Sequence, residues 1–569
     1  MAVHGIDLGT TNSAIARTGS DGRPQVLAGM SGEPMTPSVV LFASPGEHVV
    51  GEGARREARL DPEHVCALVK RRMGDTEWRF VAHGKGWSAP AVSALILRSL
   101  VADAGFATGD EPRGVVITVP AYFGDEERRA TVLAGTYAGL DVVDVLSEPI
   151  AAALAYGFGR LDGTPELRKS GPIGARPADA APVETVLVYD LGGGTFDVTV
   201  IELADRRISV LAVEGDHQLG GADWDERIAV ALARRFCAEN PGAEDPLDDS
   251  AGAQALLLAA ERAKHQLSDA ERTDVVVAHD GARSTVPLTR VELDEMTAPL
   301  LRRTIDLTRA CLAEAARRGV ARVDRVLLVG GSSRMPAVAD ALVADLDLDP
   351  RLHDPDLAVA RGAAIYGEKK ELERMVAADL RTRGRLRDGA SLEDAASADL
   401  DDACRRVADA YGVALAQVRR AAEIKVDTVV SRGFGVLAVA QAGRLEPSWL
   451  VHRNDRLPIR TTRSYGTVRT DQSEIQLTVV EQQGQVESPR PEDAKVLIVG
   501  EISGIPPGYE EGSEVRVTFE MGFDGVLHVT AFHVDAGIPL TLTATTGATL
   551  SQAEVARERD QLGRTRRRE

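Results

Sequence analysis

One short pattern occurs twice in the chain: an apolar run, an Asp-Leu pair, a glycine turn and then hydroxyl residues. The copies are residues 3–12 (VHGIDLGTTN) and 187–197 (LVYDLGGGTFD). Glycine lets the backbone approach a phosphate without a Cβ in the way, and consecutive turn N–H groups form an anion-binding nest. Asp7 and Asp190 supply carboxylates for a hydrated metal ion. A single turn of this kind is as often an ordinary loop, but two facing turns predict a nucleotide clamp.

Composition and charge favour a multidomain globular protein. The 569 residues allow several domains of ~100–200 residues each. The net charge of -20 argues against a nucleic-acid or anionic-membrane partner. Four scattered cysteines without a CxxC disfavour a disulfide framework or a zinc site. No apolar run reaches the ~20 residues that span a bilayer, and no basic and apolar leader is expected, so the sequence predicts a cytoplasmic protein.

The chain divides into four segments by its patterning. Residues 1–368 alternate β-like and helical runs, which predicts an α/β architecture. Residues 369–423 are rich in charged residues and alanine, which predicts a helical connector that is broken around Gly384 and Gly389. Residues 424–545 have the alternation of an all-β domain. Residues 546–569 predict a short helix, with Thr549 or Ser551 as its cap, and a frayed basic tail.

Individual elements follow from β-branched runs and from helical spacing of apolar residues. The predicted strands are 39–42, 114–119, 186–190 and 325–329 in the first segment and 474–480, 495–499, 514–520, 526–531 and 539–544 in the third. The predicted helices are 91–102 and 227–237, and the connector places Leu392, Leu400, Val407 and Tyr411 on one helical face.

Two further glycine pairs extend the predicted phosphate site. They are Gly220-Gly221 and Gly330-Gly331, and the second pair follows an apolar strand and precedes Ser332. The N-terminal half contains no GxxxxGK[ST] motif, so the site is not that of a Walker-type ATPase. Each glycine pair alone is compatible with a structural turn, but with the two hairpins they would line one cleft.

At this point the chain resembles the Hsp70 family of chaperones. The resemblance rests on residues 5–13, 117–123, 147–157, 190–197, 327–336, 354–364 and 524–531. It implies an actin-like ATPase fold of two lobes around a cleft, followed by a β-sandwich that holds extended apolar peptides. It also implies ATP or ADP with Mg2+, and K+ as a further ion.

The resemblance assigns roles to individual residues of the nucleotide site. Asp7 and Asp190 would hold magnesium through water, Lys70 would be the catalytic lysine, and Glu148 would position the attacking water. Thr195 completes the catalytic set. The phosphate contacts would be Gly9, Thr10, Thr11, Asn12, Gly192, Gly193, Gly194 and Thr195, and the remaining nucleotide contacts Gly220, Gly221, Glu261, Lys264, Ser268, Gly330, Gly331, Ser332, Arg334 and Asp356.

Each assignment has a simpler alternative. Lys70 stands in a basic run with Arg71 and Arg72, which is typical of a solvated surface. Glu261, Lys264 and Ser268 have the spacing of one exposed helix face. The peptide pocket would involve Phe434, Tyr465, Ile475 and Leu477, but any β-sandwich has such residues in its core.

Three departures from the family pattern affect the expected function. The family's long helical lid is not expected, so peptide should leave faster, because affinity differences mostly reside in the off-rate. A charged connector precedes the apolar linker, residues 424–430, where Lys425 interrupts the run. Asp144 stands where the family has a basic residue for J-domain co-chaperones, and Ser147 replaces an Asn.

The sequence therefore supports three functions in decreasing order. The first is a lidless chaperone in which slow Mg-dependent ATP hydrolysis gates the binding of unfolded polypeptide. A nucleotide-exchange factor is then a candidate partner, and a J-domain partner is disfavoured. The second is an ATP-binding regulatory or scaffold protein with a fixed partner and a weak or uncoupled ATPase. The third is a small-molecule kinase of the actin-like superfamily, for which the β-domain has no purpose.

Overall fold

The structure is a computed structural model that describes residues 3–19, 21–161, 183–204, 207–440, 443–484, 486–522, 527–539 and 552–568. Residues 3–161 form lobe I and residues 183–382 form lobe II. Lobe I contains β1 (His4–Asp7), β2 (Asn12–Thr18), β3 (Pro24–Leu27), β4 (Thr36–Pro37), β5 (Val40–Ser44), β6 (Glu47–Val50), α1 (Glu52–Glu57), β7 (Val65–Cys66), β8 (Phe80–Ala82), β9 (Lys85–Trp87), α2 (Ala89–Thr108), β10 (Gly114–Val119), α3 (Asp125–Ala138), β11 (Asp141–Ser147) and α4 (Glu148–Leu161). Lobe II contains β12 (Glu184–Leu191), β13 (Phe196–Ala204), β14 (Arg207–Asp216), α5 (Gly221–Glu239), α6 (Ser250–Asp269), β15 (Arg272–His279), β16 (Ala282–Thr289), α7 (Arg290–Arg317), β17 (Arg325–Val329), α8 (Pro336–Leu346), β18 (Pro350–Leu352) and α9 (Ala358–Thr382).

The main sheets of the two lobes have the same internal order. Lobe I has β11-β10-β1-β2-β3, and lobe II has β18-β17-β12-β13-β14. In each sheet the first three strands in sequence form an antiparallel meander, and two later strands add in parallel to its first strand. The hairpins β1–β2 and β12–β13 therefore occupy equivalent places, so the repeated sequence pattern corresponds to a repeated fold.

Apolar residues on both faces explain why these strands are central. Strand β10 has Val115, Val116 and Ile117 without exposed surface, as expected for a sheet that is covered on both sides. The predicted strands 114–119 and 325–329 are confirmed as β10 and β17, and both predicted helices are confirmed within α2 and α5. Among the described helices, α2 alone is long and apolar enough to cross a membrane, but it is largely buried within lobe I.

The connector folds into two helices that pack against lobe II. These are α10 (Ser397–Tyr411) and α11 (Leu415–Glu423), and α9 continues across the boundary expected at residue 369. The predicted break is confirmed, because Gly384 and Gly389 adopt positive φ angles after α9 ends. Helices α9, α10 and α11 share an apolar core. The prediction for Tyr411 was wrong, since it is 60% exposed at the C-terminal end of α10.

The linker after the connector adds a strand to lobe II. Strand β19 (Lys425–Asp427) pairs in parallel with β14 and becomes the edge of the lobe II sheet. Arg207 forms an ion pair of 2.7 Å with Asp427, and Lys425 forms one of 2.8 Å with Glu393. The linker is thus docked from both sides, by lobe II and by the connector.

The β-domain is a sandwich of two four-stranded sheets, β21-β20-β23-β24 and β22-β25-β26-β27. Inward-facing apolar residues of both sheets form its core. The predicted strands 474–480, 495–499 and 514–520 are confirmed, and 527–531 of the fourth lies in β26, whereas residues 524–526, 540–544, Thr549 and Ser551 lie outside the described residues. The strands are β20 (Phe434–Val439), β21 (Leu445–Val451), β22 (Ile459–Gly466), β23 (Glu474–Gln482), β24 (Ala494–Ser503), β25 (Glu514–Met521), β26 (Leu527–His533) and β27 (Ile538–Pro539).

The C-terminal segment packs against lobe I. Helix α12 (Gln552–Gly563) is followed by the short strand β28 (Arg566–Arg567), which pairs in parallel with β6. The expectation of a frayed, solvated tail was wrong, because its basic residues alternate between a buried acidic partner and solvent instead of forming one exposed run.

Candidate active site

The tips of the two repeated hairpins touch across the cleft between the lobes. A Cβ built on Gly193 or Gly194 would lie less than 3.0 Å from Thr11 or Thr10, so only glycine permits this approach. Gly221 N–H donates to the Gly192 carbonyl at 2.9 Å, which joins the start of α5 to the second hairpin. The glycine turns thus form a cradle of backbone N–H groups and hydroxyls.

The cleft has a volume of about 610 Å³ and collects most of the residues that the sequence assigned to nucleotide. Three assigned glycines, Gly194, Gly220 and Gly221, are not on its wall but pack against residues that are. The assigned residues on the wall are Asp7, Gly9, Thr10, Thr11, Asn12, Lys70, Glu148, Asp190, Gly192, Gly193, Thr195, Glu261, Lys264, Ser268, Gly330, Gly331, Ser332, Arg334 and Asp356.

A buried ion pair lies at the floor of this cleft. Lys70 is on a 3-10 turn after β7, and its Nζ donates to Glu148 Oε1, in the first turn of α4, at 2.5 Å. Both side chains are less than 10% exposed, so the alternative of a solvated Lys70 is wrong. Burial alone would lower the pKa of Lys70, but the Glu148 and Asp7 carboxylates outweigh it and raise that pKa.

Two buried aspartates flank the ion pair. Asp7 ends β1, where its Oδ1 accepts a hydrogen bond of 3.1 Å from the Thr118 hydroxyl, and Asp190 lies near the end of β12. Burial, together with the nearby Glu148 carboxylate, raises the pKa of Asp7 to about 7. The same two causes raise the pKa of Asp190. Ionising both aspartates therefore requires an added positive charge.

This donor set fits the expected hydrated magnesium ion. Hard cations prefer carboxylate oxygens and water, and Mg2+ retains several waters beside phosphate groups. Asp7 and Asp190 would hold it through water, as the sequence predicted. In the described part of the chain no group of three or more His, Cys, Asp or Glu side chains is arranged to hold a metal directly.

The opposite end of the cleft has the chemistry of a nucleoside site. Lys264 is buried, and its Nζ lies 2.8 Å from both Asp225 and the Gly221 carbonyl oxygen. Burial raises the pKa of Asp225 to about 6, although Lys264 opposes this. The alternative of an exposed helix face is therefore wrong for Lys264. Arg334 and Asp356 form an ion pair at the rim.

Two arginines that the sequence reasoning missed join the lobes across the cleft. Arg55 of α1 forms an ion pair with Glu261 of α6. Arg71 donates to the Gly194 carbonyl oxygen at 2.8 Å and pairs with Asp223 at 2.5 Å. The position of Arg71 beside Lys70 was the available signal, whereas nothing in the local sequence distinguishes Arg55.

The four residues assigned to the peptide pocket do not form one exposed pocket. Phe434 and Leu477 are buried in the sandwich core, which corrects their assignment. Tyr465 lies at the margin of this core and donates to Ser448 Oγ at 3.0 Å, while Ile475 packs in a separate apolar cluster. Inward-facing residues of any sandwich fill its core, so strand position alone does not separate pocket from core.

The β-domain contacts the ATPase-like lobes through buried charges. Arg432 pairs with Glu127 of α3 at 3.2 Å and with Glu481 of β23 at 3.4 Å. Its guanidinium also lies 5.1 Å from the centre of the Tyr122 ring. The Tyr122 N–H donates to Asp197 Oδ1 at 2.9 Å, so this contact leads back to the second phosphate hairpin.

The sequence model of the Hsp70 protein family matches residues 3–82, 75–377 and 410–568. The matched regions include both lobes, the linker strand, the β-domain and the C-terminal segment, and they leave out residues 378–409, where α9 ends and α10 lies. The chain therefore belongs to the Hsp70 family, as its motifs indicated. Members of this family bind ATP or ADP with Mg2+, hydrolyse ATP and bind unfolded polypeptides.

Proposed function

We propose that the protein is a lidless chaperone in which slow Mg-dependent ATP hydrolysis controls how the β-domain binds unfolded peptide segments. The observation that carries the proposal is the buried Lys70–Glu148 pair between two phosphate hairpins, in a chain whose β-domain is docked on the same lobes. The Lys70 ammonium stabilises the charge that develops on the transferred phosphoryl group. Glu148 fixes that ammonium and accepts a hydrogen bond from the attacking water, while bound Mg2+ neutralises phosphate charge.

Peptide binding finds support at the open end of the hairpin β20–β21. Val439 and Leu445 are cross-strand partners there, and each is about half exposed. An extended peptide can add to a sheet edge through its main chain while an apolar side chain contacts such a pair. Helix α12 packs on lobe I, which agrees with a peptide site that exchanges quickly.

The coupling and the partners follow from the contacts around the linker. Asp197, Tyr122 and Arg432 connect the phosphate hairpin with the β-domain. Asp144 is paired with Lys370 at 2.9 Å, so it offers no basic docking point to a J-domain protein. The partners we infer are unfolded polypeptide and a nucleotide-exchange factor, in the cytoplasm.

A regulatory protein with an uncoupled ATPase is the second candidate. The Lys425–Glu393 pair favours it, because the connector holds the linker in place independently of the cleft. In that case peptide would not alter hydrolysis.

Single-turnover ATP hydrolysis, with and without an unfolded peptide, tests both candidates. We expect Lys70→Ala to slow hydrolysis about 10²–10³-fold, since it removes a preorganised charge, while nucleotide still binds. Arg72→Ala is the matched control, because Arg72 is exposed on the same turn, and it should hydrolyse ATP normally. Equal rates for Lys70→Ala and the wild type would refute the site, and a wild-type rate that peptide does not change would favour the regulatory protein.

A further inference from the structure

The outer sheet of lobe I has an edge that the C-terminal segment occupies. The sheet order is β28-β6-β5-β7, so β6 would be an open edge without β28. The Arg566 N–H donates to the Gly46 carbonyl at 2.9 Å, and the Arg568 N–H donates to the His48 carbonyl at 2.8 Å. An exposed edge of this kind is a template for an added strand.

Side chains make the pairing specific. Arg567 donates to Asp103 Oδ1 at 2.6 Å, and Asp103 is only 6% exposed, so a buried carboxylate receives its partner from the C-terminal segment. The His48 ring and the Thr565 hydroxyl lie 3.0 Å apart. Arg566 takes part through its backbone alone and keeps its side chain in solvent.

Helix α12 anchors the same segment on the adjoining face. Leu562 has no exposed surface and belongs to the core of lobe I. Its carbonyl oxygen accepts a hydrogen bond of 2.9 Å from Arg98, and the Ser88 hydroxyl donates to Glu558 at 2.6 Å. A core position filled from a segment more than 400 residues away indicates a stable contact, because burying a leucine contributes about 1.5–3 kcal/mol.

The occupied edge adjoins the cross-cleft contact. Strand β6 leads through Gly51 directly into α1, and α1 carries Arg55, which reaches Glu261 of lobe II. Any outward movement of α1 that opens the cleft also displaces β6. The bound strand β28 therefore resists the opening.

We propose that the edge of β6 is a strand-acceptor surface whose occupant is residues 565–568 of the same chain, and that this strap slows the opening of the nucleotide cleft. The strap joins the end of the β-domain to lobe I, so it also keeps the β-domain beside the cleft. The effect on nucleotide release rests on the function proposed above, whereas the strand pairing does not.

Two substitutions at one position test the strap. Arg566→Pro removes the N–H that bonds to Gly46, and Arg566→Ala keeps it, while both leave the Arg567–Asp103 pair in place. Hydrogen exchange of the Arg568 amide should be slow in the wild type and Arg566→Ala and fast in Arg566→Pro. Release of a fluorescent ADP analogue should be about threefold faster or more in Arg566→Pro only, the size expected from one lost backbone hydrogen bond.

The outcomes separate the strap from the nucleotide site. Fast wild-type exchange at Arg568 would overturn the strand pairing, whatever the protein does with nucleotide. Slow exchange combined with equal ADP release from both variants would overturn the effect on the cleft. If the analogue does not bind at all, the proposed function fails while the exchange result still decides the pairing. A wild-type dimer whose Arg568 protection is lost on dilution would show that a second copy supplies the strand.

Discussion

Three consecutive basic residues, Lys70, Arg71 and Arg72, have three different environments. Lys70 is buried beside Glu148, Arg71 crosses the cleft to Gly194, and Arg72 is exposed. A 3-10 turn produces this divergence, because successive side chains point about 120° apart around its axis. Residue type alone therefore did not distinguish a catalytic lysine from a solvated one, and the surrounding motif did.

The Arg55–Glu261 ion pair should act as a latch on nucleotide release. Both side chains are partly exposed, and such pairs contribute up to about 1 kcal/mol, so we expect Arg55→Ala to release ADP up to about fivefold faster. Stopped-flow release of a fluorescent ADP analogue measures this. Arg56→Ala is the control, because Arg56 pairs only with Glu52 of the same helix among the contacts described. Equal release from wild type and Arg55→Ala would rule out the latch.

At the scale of elements, the linker strand β19 is the connection on which coupling depends. Val426 packs partly buried against the core shared by the lobes, whereas Lys425 is exposed. The pairing of β19 with β14 orders the chain immediately before the β-domain. Docking of this strand is therefore expected to decide whether the β-domain stays on the lobes.

Val426→Asp should release the linker. Burying an unpaired carboxylate costs about 2 kcal/mol or more, which exceeds what a three-residue strand contributes. We expect faster hydrogen exchange across residues 425–427 and loss of any effect of peptide on ATP hydrolysis. Lys425→Ala removes only an exposed ion pair and should behave as the wild type. If Val426→Asp keeps slow exchange at 425–427, the linker is held by other contacts.

Elements with local signals were predictable, and long-range packing was not. Strands β10 and β17 are continuous apolar runs between turns, so their bounds were readable from the sequence. The docking of β28 on β6 depends on a partner about 520 residues away, for which the local sequence of the tail carries no signal. Phe434 and Leu477 were misassigned because a core and a pocket use the same apolar residue types.

At the scale of the whole molecule, the domain interface contains a buried carboxylate that titrates near neutrality. Glu481 of β23 faces Arg432 of its own domain and Glu127 and Asp125 of α3, and it accepts a hydrogen bond from the Asp125 N–H. Burial raises the pKa of Glu481 to about 7, although Arg432 opposes this. Separation of the domains would return this carboxyl to water and to its ordinary pKa near 4.5.

This difference predicts that docking weakens as the pH rises. A carboxyl whose pKa is higher in the docked state favours docking fully below about 4.5, and the contribution is lost as the pH rises through about 7. We expect lower interdomain energy transfer at pH 8 than at pH 6 in a doubly labelled protein. Glu481→Gln mimics the protonated form and should remove this dependence. The same pH dependence in Glu481→Gln would assign it to another group.

The rate at which a labelled unfolded peptide leaves the protein tests the central claim most directly. The claim is that nucleotide in the cleft controls the β-domain through Asp197, Tyr122, Arg432 and the docked linker. With ATP and Mg2+ the peptide should leave at least about tenfold faster than with ADP and Mg2+, which corresponds to about 1.4 kcal/mol of coupling. Val426→Asp should remove this difference. Identical release rates with ATP and ADP in the wild type would contradict the account.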